Sequence, residues 1–243
     1  MPSIEINDNK CVTINESCTI ILKNKNIDIE YELIDGNYSI LVFNDFNDDV
    51  VLNEHGTVRN SSVKINYLQL DKFDLNQYTK INVNRNSSLT VNTTYLATKN
   101  KTVTYDLFNC EEDSNVDIFN NIVCLKEANF SLECIGTIKK GAKRSKCHQK
   151  TNCLTFDSPN KAKVLPVLNI DENDVEASHS LSSGTLDEDI LFYMNSRGLN
   201  KKEALNLILK SYLMPNDNYY DEFEQGKIIQ EEAIKKVDEI CSM

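Results

Sequence analysis

The amino-acid sequence predicts a mainly β protein that ends in a small helical region. Short runs rich in β-branched and aromatic residues, often alternating with polar ones, recur through about the first 170 residues. Clusters of Asn, Asp and Ser separate these runs, and no helical period lies between them. After Gly184 the apolar residues recur at helical spacing instead. The strands therefore come first and the helices last.

The predicted strands begin with CVTI (11–14) and end with KVLPVLNI (163–170). Between them lie, in order, CTIILK, IDIEYELI, YSILVF, SVKINYLQL, TKINVN, SLTVNTTYLA, KTVTYDLF, NVDIF, NIVCL and FSLECIGTI. Evenly short strands with polar links favour a β-sandwich, a barrel or a β-solenoid over an α/β design. The spacing is too irregular to fix a repeat length, so the pattern alone leaves these alternatives open.

The first predicted helix follows the change of period. Thr185 and Glu188 have the spacing of a T-x-x-E capping box, and Gly198 has the residue type that closes a helix. Between these signals lies a short apolar face of Ile190, Leu191 and Met194. We therefore predict a short amphipathic helix from the capping box to Gly198.

Two more helices are predicted beyond Gly198. Asn200 and Glu203 repeat the cap spacing, and Pro215 stops the second helix. Its apolar positions are Ala204, Leu205, Ile208, Leu209 and Tyr212. An acidic linker, MPNDNYYDEFEQG, separates it from the third helix, whose apolar stripe is Ile229, Ala233, Val237 and Ile240. Such stripes normally pack on each other or on the neighbouring β structure.

Composition narrows the classes of function. The chain has 243 residues, of which 40% are hydrophobic, enough for a folded core. Its formal net charge is −11, with 37 acidic against 26 basic residues, so a phosphate backbone would be repelled and nucleic acid is not the expected partner. The sequence shows neither a signal peptide nor an apolar run that could span a membrane. We therefore predict a cytoplasmic protein without a membrane partner.

The eight cysteines are scattered without a compact framework, which predicts reduced thiols in a cytosol. Cys124 and Cys134 lie in apolar, strand-like runs, where a free cysteine usually acts as a small core residue.

The histidines and their neighbours do not form a recognisable catalytic or metal motif. CHQKTNC places Cys147, His148 and Cys153 within seven residues, but a structural zinc site usually needs two close pairs of ligands. We interpret this segment as a polar turn with incidental thiols, and His55 in NEHGT as a turn residue. Phosphate-binding, dinucleotide-binding and G-x-S-x-G motifs are missing from the sequence, and nothing in it places a nucleophile beside His55, His148 or His179. An enzyme is therefore not predicted.

Three ordered blocks resemble a known family. They are GTIKKGAKRSKCHQKTN (136–152), PVLNIDENDVEASH (166–179) and GTLDEDILFYMNSRGLNKKEA (184–204). Together they resemble the SufB/SufD scaffold family of iron–sulfur cluster assembly. The most specific part is the phrase L-F-Y-x-x-S-R-G after D-V-x-x-x-H.

The resemblance implies a right-handed parallel β-helix core in residues 1–183 and a small α-helical region in residues 184–243. It favours the solenoid among the β architectures left open above. Full-length family members carry an additional N-terminal helical region, so the resemblance implies a short form without it.

The resemblance also implies a function and its partners. The chain would be a non-catalytic scaffold subunit of the SUF complex, acting with a SufC-like ABC-type ATPase and with either a SufB-like subunit or a second copy of itself. The helices after Gly184 correspond to the family's docking surface for the ATPase, and the expected anchors are Leu191, Phe192, Tyr193 and Arg197. Since the sequence has no phosphate-binding loop, nucleotide would bind to the partner and not to this chain.

His179 falls on the histidine that faces the partner subunit near the nascent cluster in SufD-type chains. Ser180 stands where SufB-type chains have Glu, which favours a SufD-like role. A neutral imidazole can ligate iron, so His179 is the candidate ligand of a transient iron–sulfur cluster. Cys147 and Cys153 are weaker candidates, because neither aligns with the cluster-building cysteine of SufB-type chains.

One alternative belongs to another class of protein. Asn-rich strands and seven Asn-x-Ser/Thr triplets would suit a structural or surface β-solenoid that mediates interactions without cluster chemistry. That class predicts an export signal, which the sequence does not show.

Overall fold

The computed structural model describes residues 1–70, 72–125, 128–156, 161–213, 223–224 and 226–240, and for Ile240 the backbone only. These residues form fifteen strands and three helices. The strands are β1 (Ser3–Ile6), β2 (Val12–Ile14), β3 (Cys18–Leu22), β4 (Asn26–Ile34), β5 (Asn37–Asn44), β6 (Val50–Arg59), β7 (Ser62–Gln69), β8 (Leu75–Val83), β9 (Ser87–Ala97), β10 (Lys101–Asn109), β11 (Ser114–Cys124), β12 (Phe130–Ile138), β13 (Ser145–Thr155), β14 (Ala162–Ile170) and β15 (Val175–Thr185). The helices are α1 (Glu188–Ser196), α2 (Lys201–Leu213) and α3 (Gly226–Ile240).

The strands wind into a parallel β-helix. The odd-numbered strands β1 to β15 form one eight-stranded sheet in chain order, and the even-numbered strands β2 to β14 form a seven-stranded sheet. All the strand pairings are parallel and join strands two apart in sequence. Each turn therefore adds one strand to each sheet. This confirms the solenoid that the resemblance favoured.

Period-two alternation places one row of side chains inside the β-helix. On β10 and β12 every second residue is buried, and the buried positions of adjacent strands are in register. Val103 thus stacks against Leu132, and Tyr105 against Cys134, on the next turn. Full burial of an aliphatic or aromatic side chain contributes about 1.5–3 kcal/mol, so this continuous stack is the main source of stability.

One corner of the β-helix repeats a left-handed backbone residue. Five of the seven turns that lead from an even strand to the following odd strand contain a non-glycine residue with φ between 49° and 58°. These residues are Asp35, Asn60, Asn86, Asp113 and Arg144, which are 25, 26, 27 and 31 residues apart. Asn and Asp tolerate this conformation better than other non-glycine residues, which explains why they hold four of the five positions. The same corner carries a side-chain bond between successive turns, from Asn60 Nδ2 to Asp35 Oδ1 at 2.8 Å.

A buried carboxylate lies inside the middle turns. Glu54 on β6 accepts hydrogen bonds from Tyr31 at 2.6 Å, Tyr67 at 2.8 Å, Thr79 at 2.6 Å and Gln77 at 3.1 Å. Burial raises the pKa of Glu54, and the four donated hydrogen bonds oppose that shift. The carboxylate is therefore satisfied by donors from three strands, β4, β7 and β8, and ties the two sheets together across the interior.

The sequence pattern, which placed the first strand at CVTI, missed four strands: β1, β6, β13 and β15. His55, predicted in a turn, lies in β6 on the outer face, 6.0 Å from the Tyr78 ring between centroids. CHQKTNC, predicted as a polar turn, lies within β13, and His179 lies within β15. The longer missed strands contain many polar residues, so they do not show the apolar alternation of the predicted strands. Their outward positions face solvent, and some of their inward polar groups form hydrogen bonds with adjacent turns. Two predicted strands, NVDIF and NIVCL, are the halves of β11.

The start of α1 differs from the prediction. Asp187 is the N-cap residue, and its Oδ1 accepts a hydrogen bond from the Asp189 N–H at 2.8 Å. Thr185 is the last residue of β15 instead, since its backbone still pairs with β13. The predicted end is confirmed, because Gly198 follows the helix with φ 92°.

The predicted capping box of α2 is confirmed. The Glu203 N–H donates to Asn200 Oδ1 at 3.0 Å, and the Asn200 N–H donates to Glu203 Oε2 at 2.7 Å. The described part of the helix reaches Leu213, and Pro215 and most of the acidic linker, residues 214–222 and 225, lie outside the described residues.

Helices α2 and α3 pack on the outer face of the odd-strand sheet. Their buried residues form one cluster with outward apolar residues of that sheet. The cluster contains Leu41, Phe43, Leu68, Leu70, Leu96, Val123 and Leu154 from the β-helix and Leu209, Leu213, Phe223, Ile229, Ala233 and Val237 from the C-terminal region. Asp238 on α3 also accepts hydrogen bonds from Asn206 at 2.5 Å and pairs with Lys210 at 2.9 Å. These two helices are thus anchored to the β-helix.

Candidate functional site

The last turn of the β-helix leaves its interior open. Strands β14 and β15 stand at the ends of their sheets, each paired on one side only in the described part of the chain. Inward positions that are buried on β13 are exposed on β15; Thr151 is 5% exposed, whereas Leu181, its partner in register, is 43% exposed. Ile170 on β14 is 40% exposed. The open end therefore offers two free strand edges and uncovered apolar side chains, the features by which strands pair with another chain.

His179 lies on this open end. It is an exposed residue of β15, in register with Gln149 and on the inward-facing row of the strand. The interior row is open here because β15 is the last strand of its sheet in the described structure. An imidazole in this position can reach a ligand that approaches from beyond the last turn. The sequence analysis predicted that His179 faces a partner subunit. That role stays a prediction, and the exposed position of His179 at the open end is compatible with it.

Cys147 and Cys153 share the inward face of β13, three alternations apart. Cys147 is in register with Ala177, so it is a diagonal neighbour of His179, whereas Cys153 pairs with Ser183 four residues further along β15. At about 3.3 Å per residue that offset is about 13 Å. The structure thus brings Cys147, and not Cys153, towards the histidine.

Both thiols are poor ligands in this environment. Burial raises the pKa of Cys147 to about 12, with a further contribution from Asp117, and burial likewise raises the pKa of Cys153 to about 12. The thiolate is the form that binds metal, so a neutral buried thiol favours packing over ligation. Cys124 and Cys134 are also buried free thiols in strands, as predicted.

Cys153 contributes to a small cavity at the open end. The cavity has a volume of about 240 Å³ and lies between β13, β14 and β15. Its lining includes Thr155, Ala162, Val164, Leu181 and Ser183. Lys163 and Gly184 complete the lining, so the cavity combines small apolar groups with hydroxyls and one basic side chain.

The segment CHQKTNC does not form one metal site. Cys147 faces the interior and His148 faces outward, because successive strand residues point to opposite faces. Among the described residues there is no group of three or more His, Cys, Asp or Glu side chains placed to hold a metal ion.

His148 does have a nucleophile beside it, which the sequence did not reveal. The His148 Nδ1 atom is 2.8 Å from the Ser178 Oγ atom, and Asp117 occupies the same outward row on the other side. Residues 30 positions apart meet because they are in register on adjacent turns. A catalytic triad also needs a hydrogen bond that orients the histidine, and Asp117 makes none to His148 in the described structure.

The surface of α1 is accessible. The helix has no buried residue; Phe192 is 74% exposed and Tyr193 is 58% exposed, while Leu191 is half-buried. The Arg197 guanidinium lies over the Tyr193 ring, 5.2 Å from its centroid. All four residues that the resemblance suggested as partner anchors therefore belong to one short segment, and its aromatic side chains are uncovered.

Comparison with known proteins identifies related sequences. The family model described as "SUF system FeS cluster assembly, SufBD core domain" matches residues 3–212. The chain is 37% identical over 81 residues to the iron–sulfur cluster assembly protein SufD of Bacillus subtilis, which covers 33% of this chain and 18% of that protein. It is 32% identical over 80 residues to an iron–sulfur cluster assembly SufBD family protein of Pyrococcus horikoshii, again 33% and 18% of the two chains.

A third relative is an iron–sulfur cluster assembly SufBD family protein of Mycobacterium tuberculosis, 31% identical over 78 residues. That match covers 32% of this chain and 9% of the relative. The chain thus aligns with less than a fifth of the length of these relatives. None of the described helices is long and apolar enough to cross a membrane.

Proposed function

The chain belongs to the SufBD family of the SUF iron–sulfur cluster assembly system, and we propose that it acts there as a non-catalytic scaffold subunit. In this proposal it assembles with a SufC-like ABC-type ATPase and with a SufB-like subunit or a second copy of itself. The nucleotide binds to the ATPase, and the cluster is a transient cargo. The free thiols of the chain suit a reducing cytosol.

The observation that carries the proposal is the open end of the β-helix with His179 on it. Another β-helix can extend both sheets there by pairing with the free edges of β14 and β15 and can cover Leu181 and Ile170. Pairing would enclose His179 between two chains, where its imidazole can ligate iron together with ligands from the partner. Because Cys147 and Cys153 are buried and neutral, we assign the ligand role to His179 and a packing role to the two thiols.

The proposal predicts the effect of replacing His179. After anaerobic reconstitution with a SufB-like subunit and the ATPase, His179→Ala should retain less iron and sulfide per complex than the wild type. The melting temperature should not change, because the side chain is exposed and supports no core packing. His55→Ala is the matched control, since it removes another exposed histidine from a strand remote from the open end.

Equal iron content in the wild type and the His179→Ala complex would contradict the ligand role. If, in addition, neither the ATPase nor a SufB-like subunit is retained, the alternative of a β-solenoid interaction protein without cluster chemistry is favoured.

The proposal also assigns ATPase docking to α1. Phe192 and Arg197 supply an exposed aromatic ring and a guanidinium, and such groups dominate interface energies. The double variant Phe192→Ala/Arg197→Ala should weaken the complex by more than about 2 kcal/mol. Binding can be measured by calorimetry with the purified ATPase, with Ile228→Ala as the control because Ile228 is 58% exposed on α3. Unchanged affinity in the double variant would show that the ATPase docks elsewhere.

A further inference from the structure

Gln149 has an unsatisfied oxygen beside the candidate ligand. The residue is 3% exposed and lies on the inward face of β13. Its Nε2 donates a hydrogen bond to the Val167 carbonyl at 3.1 Å. This bond orients the side-chain amide with its nitrogen towards β14. Its Oε1 is buried and has no hydrogen-bond partner. A buried acceptor without a partner is costly, so it calls for an explanation.

The neighbours of Gln149 narrow the choice of donor. On the inward face of the odd-strand sheet its in-register partners are Ile118 on β11 and His179 on β15. Ile118 has no polar side-chain atom, whereas a neutral imidazole always carries one ring N–H. Adjacent strands are about 4.8 Å apart, so a ring N–H of His179 can reach the amide after rotation about its side-chain torsions. His179 is exposed on an edge strand, and no packing opposes that rotation.

We propose that Gln149 is a positioning residue for His179, with its Oε1 accepting one ring N–H while the other ring nitrogen binds metal. Histidine ligands commonly donate their second ring N–H to a carbonyl or a carboxylate, which fixes the tautomer and the plane of the ring. Gln149 has a carbonyl oxygen available for this beside the open last turn, on the same inward row as His179. The inference rests on the proposed ligation of metal by His179.

A matched control exists in the same sheet. Gln69 on β7 is fully buried on the inward row, and both of its amide atoms lack a hydrogen-bond partner. Its in-register neighbour on β9 is Tyr95, which is not a metal ligand in the proposal. Gln69→Leu therefore makes the same chemical change as Gln149→Leu at a distance from the open end.

The test uses the full chain with Zn²⁺ as a diamagnetic probe. The chain has three histidines, so ¹⁵N spectra of its rings can be assigned with single His→Ala variants. Zn²⁺ should bind His179 of the wild type and select one tautomer, and Gln149→Leu should weaken binding about 10–100-fold and allow both tautomers. Gln149→Glu should restore affinity and tautomer, because a carboxylate oxygen also accepts the N–H. Gln69→Leu should match the wild type.

The possible outcomes distinguish the positioning role of Gln149 from the ligation of metal by His179. Loss of Zn²⁺ binding in His179→Ala, together with wild-type affinity and tautomer in Gln149→Leu, would overturn the positioning role and leave the ligand role intact. Wild-type Zn²⁺ binding in His179→Ala would overturn the ligation itself. Gln149→Leu also removes the hydrogen bond to the Val167 carbonyl, which has no counterpart at Gln69, so its melting temperature should fall further than that of Gln69→Leu; the positioning role is therefore judged from Zn²⁺ affinity and tautomer.

Discussion

Gly136 is a position where one methyl group should test the packing of the last turns. A Cβ atom at this residue would lie 2.4 Å from the Cys147 Sγ atom, 3.0 Å from Gln149 Nε2 and 3.2 Å from Leu168 Cδ2. The first distance is far inside van der Waals contact, and Cys147 is buried in a strand and cannot move outward. Gly136→Ala should therefore strain the interior between β12, β13 and β14.

The expected cost follows from two opposing effects. Overpacking a core by a methylene-sized group costs about 1–3 kcal/mol. Replacing glycine by alanine reduces the entropy of the unfolded chain, which contributes about 0.4–1 kcal/mol in favour of folding. Gly184→Ala isolates the second effect, because a Cβ there meets nothing within 4 Å and the residue needs no positive φ. The two variants should differ in unfolding free energy by about 1–3 kcal/mol, with Gly136→Ala the less stable.

Urea unfolding provides the assay. The chain has ten tyrosines and no tryptophan, so tyrosine fluorescence and circular dichroism report the transition. Repeating Gly136→Ala in a Cys147→Ala background should recover at least about 1 kcal/mol, since the atom in closest contact is then absent. Equal urea midpoints for Gly136→Ala and Gly184→Ala, or an unchanged cost in the Cys147→Ala background, would refute the close contact.

The remaining predictions concern single groups. Burial raises the pKa of the Glu54 carboxyl, so the folded chain holds the carboxyl proton to higher pH than the unfolded chain does. The stability that this difference contributes is complete below the unfolded pKa of about 4.3 and is lost as pH rises through the folded pKa. Glu54→Gln should remove that component from melting temperatures measured across pH, and an unchanged profile would contradict it. Asn200→Ala should cost α2 about 1 kcal/mol, seen as faster amide exchange in its first turn and contradicted by unchanged rates. Arg144→Ala should raise the pKa of Asp113, which the hydrogen bonds and charge of Arg144 lower, and NMR titration of the carboxyl should detect the change at low salt; an unmoved Asp113 would show that the ion pair is not formed in solution.

The sequence predicted those strands in which apolar and polar residues alternate. Runs such as KTVTYDLF alternate apolar and polar residues, and they became strands whose apolar residues face the core. The pattern missed the short β1, and it failed on β6, β13 and β15, where inward positions carry Glu54, Gln149 and His179. In a β-helix such a residue is supported by the turns above and below it, and these lie about 25–30 residues away in sequence. A window along one strand does not contain that information.

Sequence reasoning suggested some residues of the candidate site and missed others, because the missed contacts join strands that are far apart in sequence. The resemblance suggested His179 and the α1 anchors, whose roles stay predictions; the structure puts His179 on an open end and the anchors on an exposed helix. The pairing of Ser178 with His148 and the unsatisfied Gln149 oxygen needed the register between β13 and β15, which no local motif encodes. Thr185 was predicted as a cap from its spacing to Glu188, but β15 pairs with β13 as far as that residue.

The left-handed corner residues indicate where the chain can be lengthened without disturbing its turns. The connection grows from two residues between β4 and β5 to six between β12 and β13, yet the left-handed residue stays one or two positions before the odd strand. Additional residues have been accommodated upstream of that position. A fluorophore-bearing loop or an affinity tag inserted next to Gly141 should therefore leave both sheets in register, whereas deleting Arg144 would shift β13 by one residue and turn its interior side chains outward. The left-handed residue thus separates the part of each connection that sets the strand register from the upstream part, where a label can be inserted.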